Sequence, residues 1–389
     1  MTEPEVASSP FETDVSDFAT LRQQGKYYVD HTRFLGLWHD YDIYYGFLHR
    51  PPRFGKSLFL STLESYYDIA VDEETHQRLF AGLDIEQDPP PRARGCYILK
   101  CDFKIDAITT LGPEGIERVF HNKINGAILR FAAKYHFPAN NLPLGIVTAP
   151  PAEGRLSFSF DESNGLSTFG SLLNFLSFNE LPLLLLFDDY DHFANALVFE
   201  DPGRHNLFVR GTPLVQGLSF LCSVFEIIKN STGSFICVFS AGVNPVFFDT
   251  SCAVYFKDVE NLNALADIGG FHHSDLSGAI DLLVTREAVS PEQKGPLLAL
   301  METFMCGYRF NQRRREAVYN PHLCLHLLKQ LWVGTVKISA LLTEQFDWAT
   351  LAGSILKVNE KIFRLWLRTL FSIWLWRISR RDRWSSGDG

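Results

Sequence analysis

The sequence predicts an α/β protein: a parallel β-sheet with flanking helices, followed by a helical C-terminal subdomain. Short apolar runs alternate along the chain with longer runs of helical periodicity, which is typical of strand–helix–strand units. Two of the short runs, Leu183–Phe187 and Phe235–Phe239, are apolar throughout, as strands covered on both faces are. From about Leu276 onward the pattern becomes mostly helical.

Local patterns place the elements in chain order. The predicted strands cover residues 44–48, 96–102, 183–187 and 235–239. The predicted helices cover residues 58–67, 112–138 and 215–229, where apolar residues recur three and four positions apart. Polar or Pro- and Gly-rich stretches predict irregular loops over residues 86–94, 138–163 and 290–295.

The same patterns divide the chain of 389 residues into four predicted parts. They are a disordered leader over residues 1–17, an α/β domain over 18–275, a helical lid-like subdomain over 276–345, and a basic, Trp-rich tail over 346–389. No internal repeat is visible.

Composition and charge argue against several classes of protein. The net charge of -9 argues against a general nucleic-acid surface, because such surfaces neutralise phosphates. The N-terminus lacks the basic and apolar blocks of a signal peptide, and no run reaches the ~18 uncharged apolar residues of a membrane helix. The chain has no Cys-x-x-Cys pair, so a zinc ribbon is not predicted. We therefore expect an intracellular protein, cytoplasmic or nuclear.

The stretch Arg50-Pro-Pro-Arg-Phe-Gly-Lys-Ser57 lies between the first predicted strand and the first long helix, where a Walker A loop belongs. In such a loop, backbone N–H groups at a helix N-terminus cradle phosphate, the Lys reaches the β/γ-phosphates and the hydroxyl ligates Mg²⁺. The first Gly of the motif is replaced by Arg50, so a chance Gly-Lys-Ser in a turn also stays open. The residues predicted to bind nucleotide are Arg50, Arg53, Phe54, Gly55, Lys56, Ser57 and Leu58.

Two acids follow the apolar strand at residues 183–187, as in a Walker B strand. Asp188 is the predicted Mg²⁺ ligand together with Ser57, and Asp189 is the predicted catalytic base that acts with Lys56. Because the carboxyl ends of parallel strands meet at one sheet edge, the loop and the acids are expected to converge there. Asp191 and Asn195 follow at helical spacing, and either serve the site or cap the next helix.

Several sequence blocks occur in the order typical of one family. They are Phe18–Thr32, Arg50–Leu58, Leu79–Ile85, Phe187–Asp191, Phe239–Pro245, Gly307–Phe310 and Val318–Pro321. Jointly they resemble the predicted AAA-ATPase-like family of P-loop proteins, common in bacteria and expanded in fungi, over about residues 18–330.

The resemblance implies a P-loop NTPase fold of the ASCE type that binds ATP and Mg²⁺, and it makes Arg50 usual for the family. Four positions depart from the family pattern: His31 replaces Lys, Pro52 replaces Arg, Asp189 replaces Glu, and Ala241 replaces a sensor Thr. Asp189 and Ala241 fall where water would be positioned, so binding is better supported than turnover. The chain is an ATPase, a nucleotide-binding switch or scaffold with little turnover, or an interaction protein without nucleotide.

Two further features accompany the resemblance. Arg309 is either a sensor arginine that touches the γ-phosphate or a surface salt-bridge residue. Many family members look like fusions to a C-terminal nuclease of the Glu-x-Lys type. The Glu292-Gln-Lys294 stretch lacks the apolar strand that such a site needs, so we expect no nuclease domain.

The basic tail mixes Trp with seven Lys/Arg against two Asp over residues 361–389. Such a segment lies on a membrane surface, packs on the domain or binds a partner. We expect no membrane contact, while a protein partner or a homo-oligomer stays open.

Overall fold

A parallel five-stranded sheet forms the centre of the molecule in the computed structural model, with strand order β2-β5-β6-β1-β7. The structure describes residues 9–105, 111–142, 157–200, 213–231, 236–244, 256–259, 262–311 and 316–341. The strands of the sheet are β1 (Tyr45–His49), β2 (Tyr97–Asp102), β5 (Leu183–Asp188), β6 (Ile236–Gly242) and β7 (Lys257–Asp258). A separate two-stranded ribbon joins β3 (Ala139–Asn140) and β4 (Phe158–Ser159). The predicted α/β class is confirmed.

Helices cover both faces of this sheet and form most of the described chain after β7. The helices before β7 are α1 (Phe18–Gln23), α2 (Leu37–Asp40), α3 (Lys56–Tyr67), α4 (Glu73–Phe80), α5 (Pro113–Tyr135), α6 (Gly165–Phe178), α7 (His192–Glu200) and α8 (Pro213–Asn230). The helices after β7, here called the C-terminal helices, are α9 (His273–Thr285), α10 (Pro291–Met305), α11 (Pro321–Val333) and α12 (Ile338–Leu341).

Strand β5 shows why the central strands are apolar. Leu183, Leu185 and Phe187 pack into the core that α5, α6 and α8 share. Leu184 and Leu186, at the alternate positions, pack into the second core, which includes α3 and α4. Since successive side chains point to opposite faces, a strand buried on both faces must be apolar along its whole length. The polar group of β5 is therefore confined to its carboxyl end, Asp188, and this is where the candidate site lies.

The C-terminal helices have a core of their own, built around Leu276, Ile280, Leu297, Leu327 and similar side chains. The loop predicted over residues 290–295 is wrong, because α10 begins at Pro291. Ser290 and Gln293 cap each other in a capping box, and Pro291 occupies the first turn, where its missing N–H costs nothing. The polar stretch is therefore a helix start.

Residues 9–17, here called the N-terminal segment, pack against the body, contrary to the predicted disordered leader. Phe11 is fully buried, with its ring 5.6 Å from that of Tyr27 and 6.0 Å from that of Trp332. Glu12 forms an ion pair with Lys329 of α11, with 2.7 Å between Oε1 and Nζ. A single buried ring anchors this polar segment, and one aromatic residue carries too little pattern to be recognised. Residues 1–8 lie outside the described residues.

Within the described ranges, no helix is long and apolar enough to cross a membrane. The basic tail over residues 346–389 lies outside those ranges, so the predictions for it stay predictions.

Replacement of Phe11 by Ala tests the packing of the N-terminal segment. We expect the free energy of unfolding to fall by about 3 kcal/mol, because a fully buried ring is lost. Phe178, whose side chain is 75% exposed, provides the matched control, and Phe178→Ala should change stability by no more than about 0.5 kcal/mol. Urea unfolding followed by circular dichroism measures both. Equal effects of the two substitutions would contradict the buried position of Phe11.

Candidate functional site

The loop between β1 and α3 has the backbone shape of an anion cradle. Arg53 and Gly55 both adopt the left-handed conformation, with φ of 64° and 78°. Backbone N–H groups flanking such residues converge into a concave nest that binds anions. Gly55 is also the residue before α3, a helix of 12 residues, so the positive end of the helix dipole adds to the effect.

Lys56 is buried at the start of α3, and its Nζ donates to the carbonyl oxygens of Arg50 and Pro51, at 3.0 and 3.2 Å. Burial lowers the pKa of the Lys56 ammonium, while the charges of Asp189 and Asp191 act in the opposite direction. The ammonium thus sits on two neutral acceptors of its own loop. Charged acceptors make stronger hydrogen bonds, so a phosphate placed in the cradle would compete for it.

Asp188 and Ser57, the two predicted Mg²⁺ ligands, are brought together at the carboxyl end of β5. Asp188 is buried, and burial raises the pKa of its carboxyl, opposed by a hydrogen bond from Ser57 and by the charge of Lys56. Hydroxyl and carboxylate oxygens suit Mg²⁺, which keeps several water or phosphate ligands of its own. No group of three or more His, Cys, Asp and Glu able to hold a metal occurs in the described part of the chain. This pair of oxygens would therefore supply only part of a Mg²⁺ shell.

Asp189, the predicted base, lies beside Asp188 in the left-handed conformation, with φ of 49°. Burial and the neighbouring charge of Asp188 raise the pKa of Asp189 to about 6. A carboxyl with such a pKa changes its protonation state close to neutral pH, which suits a general base.

A cavity of about 510 Å³ opens at this edge of the sheet, within the usual size range of small-molecule sites. Arg53, Gly55, Lys56, Ser57, Leu58 and Asp189 line it. The rest of the wall includes Glu12–Ser16 of the N-terminal segment, Tyr27–Val29, His31 and the start of α11. Asp188 does not line the cavity itself, although Ser57, which it contacts, does.

Arg50 does not face the cavity, and the prediction that its side chain binds nucleotide is corrected. The guanidinium is almost completely buried and donates to the carbonyl oxygens of Ile268 (2.8 Å), Ala266 (2.9 Å) and His49 (2.9 Å). It also stacks over the ring of Phe310, 3.9 Å from the centroid. A planar group with several fixed donors can bind several carbonyls at once. Arg50 therefore fixes the loop to the chain that leads into the C-terminal helices.

Phe54 and Gly269 complete this attachment. The Phe54 ring is buried against Tyr308 and Phe310, with centroids 4.8 and 5.4 Å away. Gly269 has φ of 84°, and a Cβ there would lie 2.2 Å from the Phe54 carbonyl oxygen, so glycine is required. Phe54 does not line the cavity, so only its backbone is placed to contribute to anion binding.

Arg309 lies in the same stretch, between Tyr308 and Phe310. Its neighbours Tyr308 and Phe310 turn their rings towards Phe54, whereas Arg309 is exposed and does not line the cavity. Of the two interpretations, the geometry favours a surface residue over a sensor arginine.

Asp191 and Asn195 come together but do not line the cavity. The carboxylate Oδ2 of Asp191 accepts hydrogen bonds from the backbone N–H groups of Val243 (2.8 Å) and Asn244 (2.5 Å), and from Asn195 Nδ2 (2.8 Å). The pair thus fastens the start of α7 to the turn after β6. This indirect role differs from both direct site chemistry and simple helix capping.

Sequence reasoning missed several residues that shape the site. Tyr190 contacts His49 Nε2 at 2.7 Å and donates to the Asn244 carbonyl at 3.0 Å, so it joins the ends of three strands. His322, in the first turn of α11, reaches the cavity beside Arg53. The Asn320-Pro321 helix start was a usable signal for His322, because it fixes where the first turn lies. Tyr190 lies within the Phe187–Asp191 block that resembles the family, and that block was the usable signal for it.

Comparison with known proteins gives one family match. The family described as Predicted AAA-ATPase matches residues 12–250 of the chain, which include the 50–57 loop, both acids and the turn after β6. No curated protein and no solved structure matches the chain. The C-terminal helices lie beyond the matched residues.

Substitution of Arg50 and of Arg53 by Ala separates the two loop arginines. Arg50→Ala should lower the free energy of unfolding by about 3 kcal/mol or more, because buried carbonyls lose a charged donor. Arg53→Ala, the matched control, removes an exposed side chain and should change it by about 0.5 kcal/mol. Urea unfolding measures both changes. A small effect at Arg50 would show that its buried hydrogen bonds do not hold the loop.

Proposed function

The chain belongs to the predicted AAA-ATPase family, and from this membership and the site geometry we propose that it binds ATP with Mg²⁺ and hydrolyses it to ADP and phosphate. One observation carries the proposal: a loop with the backbone shape of an anion-binding nest, Lys56 and the Ser57–Asp188 contact lie together beside one cavity. A phosphate chain fits such a place because it combines backbone donors, a cation and oxygen ligands for a metal.

The order of the strands supports an ASCE-type fold as part of this proposal. Strand β6 lies between β1, which leads into the loop, and β5, which ends in the acids. An additional strand between these two is the arrangement that this class of P-loop proteins has.

Each residue of the site has a proposed role. The backbone N–H groups of residues 53–57 and the Lys56 ammonium bind the β/γ-phosphates. Ser57 and Asp188 would hold Mg²⁺, which would supply positive charge to neutralise the phosphate oxygens. Asp189 accepts a proton from the attacking water and keeps that water in line. The choice of ATP as the nucleotide rests on the family.

A second function, a nucleotide-binding switch with little turnover, is favoured by two observations at the water position. Asp189 is one methylene shorter than Glu, so its carboxylate reaches less far from the β5 end. Ala241 is buried on β6, and its methyl side chain cannot hydrogen bond to water. Binding of nucleotide is common to both functions, and only the rate of hydrolysis separates them.

Lys56→Ala tests nucleotide binding. We expect the Kd for Mg-ATP to rise about 100-fold, because charge-assisted hydrogen bonds to phosphate are lost, and phosphate release to fall with it. Lys294→Ala is the control, since Lys294 pairs with Asp281 in the C-terminal helices and should leave binding unchanged. Isothermal titration calorimetry and phosphate release measure the two quantities. If the unaltered protein binds no Mg-ATP, the third alternative, an interaction protein without nucleotide, holds instead.

The pH dependence of turnover tests Asp189 as the base. A carboxylate base acts only when deprotonated, so kcat/KM should rise with pH through the Asp189 pKa of about 6 and then level off. Asp189→Asn should abolish the rise and most of the turnover while Mg-ATP still binds. A wild-type rate no faster than that of Asp189→Asn at every pH would favour the switch.

A further inference from the structure

The loop and the C-terminal helices meet in one polar contact at the cavity. Arg53 Nη1 lies 2.9 Å from His322 Nε2 in the first turn of α11, and both side chains line the cavity. Arg53 is exposed and His322 is half-buried. The contact therefore joins the anion-binding loop to the C-terminal helices, which have a core of their own.

His322 is the acceptor in this contact. Arginine has donors but no acceptor, so the N–H of Arg53 must point at the lone pair of the ring nitrogen. Burial, followed by the charges of Arg53 and His326, lowers the pKa of His322 to about 4, which keeps the ring neutral near pH 7. A neutral ring nitrogen is a weaker acceptor for a guanidinium than a phosphate oxygen is.

The other loop arginine differs from Arg53 in this respect. The donors of Arg50 are held by buried carbonyl oxygens, away from the cavity. Arg53 is exposed, carries a full positive charge and lies two residues before Gly55 in the cradle. A phosphate chain in the cradle would therefore lie within the field of the Arg53 guanidinium.

We propose that Arg53 gives up its hydrogen bond to His322 and instead donates to the terminal phosphates of a bound nucleoside triphosphate. Arg53 then positions the phosphates, and the first turn of α11 is released from the loop. This inference rests on the proposed nucleotide binding. Because α11 also carries Lys329 and Trp332, which hold Glu12 and Phe11, the exchange connects the nucleotide state with the helix that anchors the N-terminal segment.

A double-mutant cycle on Mg-ATP affinity tests the exchange. His322→Ala removes the competing acceptor, so Mg-ATP should bind about two- to tenfold more tightly, the equivalent of one net hydrogen bond. Arg53→Met should weaken binding about tenfold, because a charged donor to phosphate is lost. With Arg53 already replaced by Met, His322→Ala should have no effect, since the exchange needs both partners.

His39→Ala is the matched control. His39 of α2 is exposed, contacts Asp40 at 3.0 Å and does not line the cavity, so its loss should leave the affinity unchanged. Thermal unfolding of each variant establishes that it is folded.

The outcomes separate this inference from the function on which it rests. If the unaltered protein binds no Mg-ATP, both are overturned. If it binds Mg-ATP but His322→Ala leaves the affinity unchanged, only the exchange is overturned. The same holds if His322→Ala changes the affinity by the same factor in the wild-type protein and in the Arg53→Met variant. Tighter binding that disappears with Arg53→Met supports it.

Discussion

The buried guanidinium of Arg50 is the constraint on which the rest of the site depends. The guanidinium donates to the carbonyl oxygens of Ala266 and Ile268 and stacks on Phe310. The backbone N–H of Arg50 donates to the Gly242 carbonyl oxygen at 3.1 Å. One residue thus joins β1, the end of β6 and the chain that enters the C-terminal helices. The loop that follows inherits its position from these contacts, and with it the direction of α3.

This arrangement explains how a loop without the first glycine of the common motif still forms an anion cradle. Arg50 stands at the edge of the loop with both its backbone and its side chain hydrogen bonded, and it is not among the residues with positive φ. The left-handed conformations fall instead at Arg53 and Gly55, next to the cavity. The two arginines therefore have different positions: Arg50 is buried and supports the loop, whereas Arg53 lines the cavity where a ligand would lie.

Much of the fold could be predicted because its signals are local. Leu183–Phe187 is apolar because both faces of β5 are covered, and Asp188 is the last residue of that strand. The Arg50 guanidinium is held by Ala266, Ile268 and Phe310, which lie more than 200 residues away in sequence, and nothing in the Arg50–Ser57 stretch indicates these partners. Phe11 poses the same difficulty, because one ring among polar residues has no periodicity. The helix start at Ser290 was a local signal that polar composition concealed.

A crystal structure of the protein with Mg²⁺ and a non-hydrolysable ATP analogue tests the central claim most directly. The account predicts that the phosphates occupy the cradle beside Lys56, that Mg²⁺ lies between Ser57 and Asp188, and that Arg50 stays on the carbonyl oxygens of Ala266 and Ile268. An analogue bound elsewhere, or an Arg50 side chain turned onto the phosphates, would contradict it.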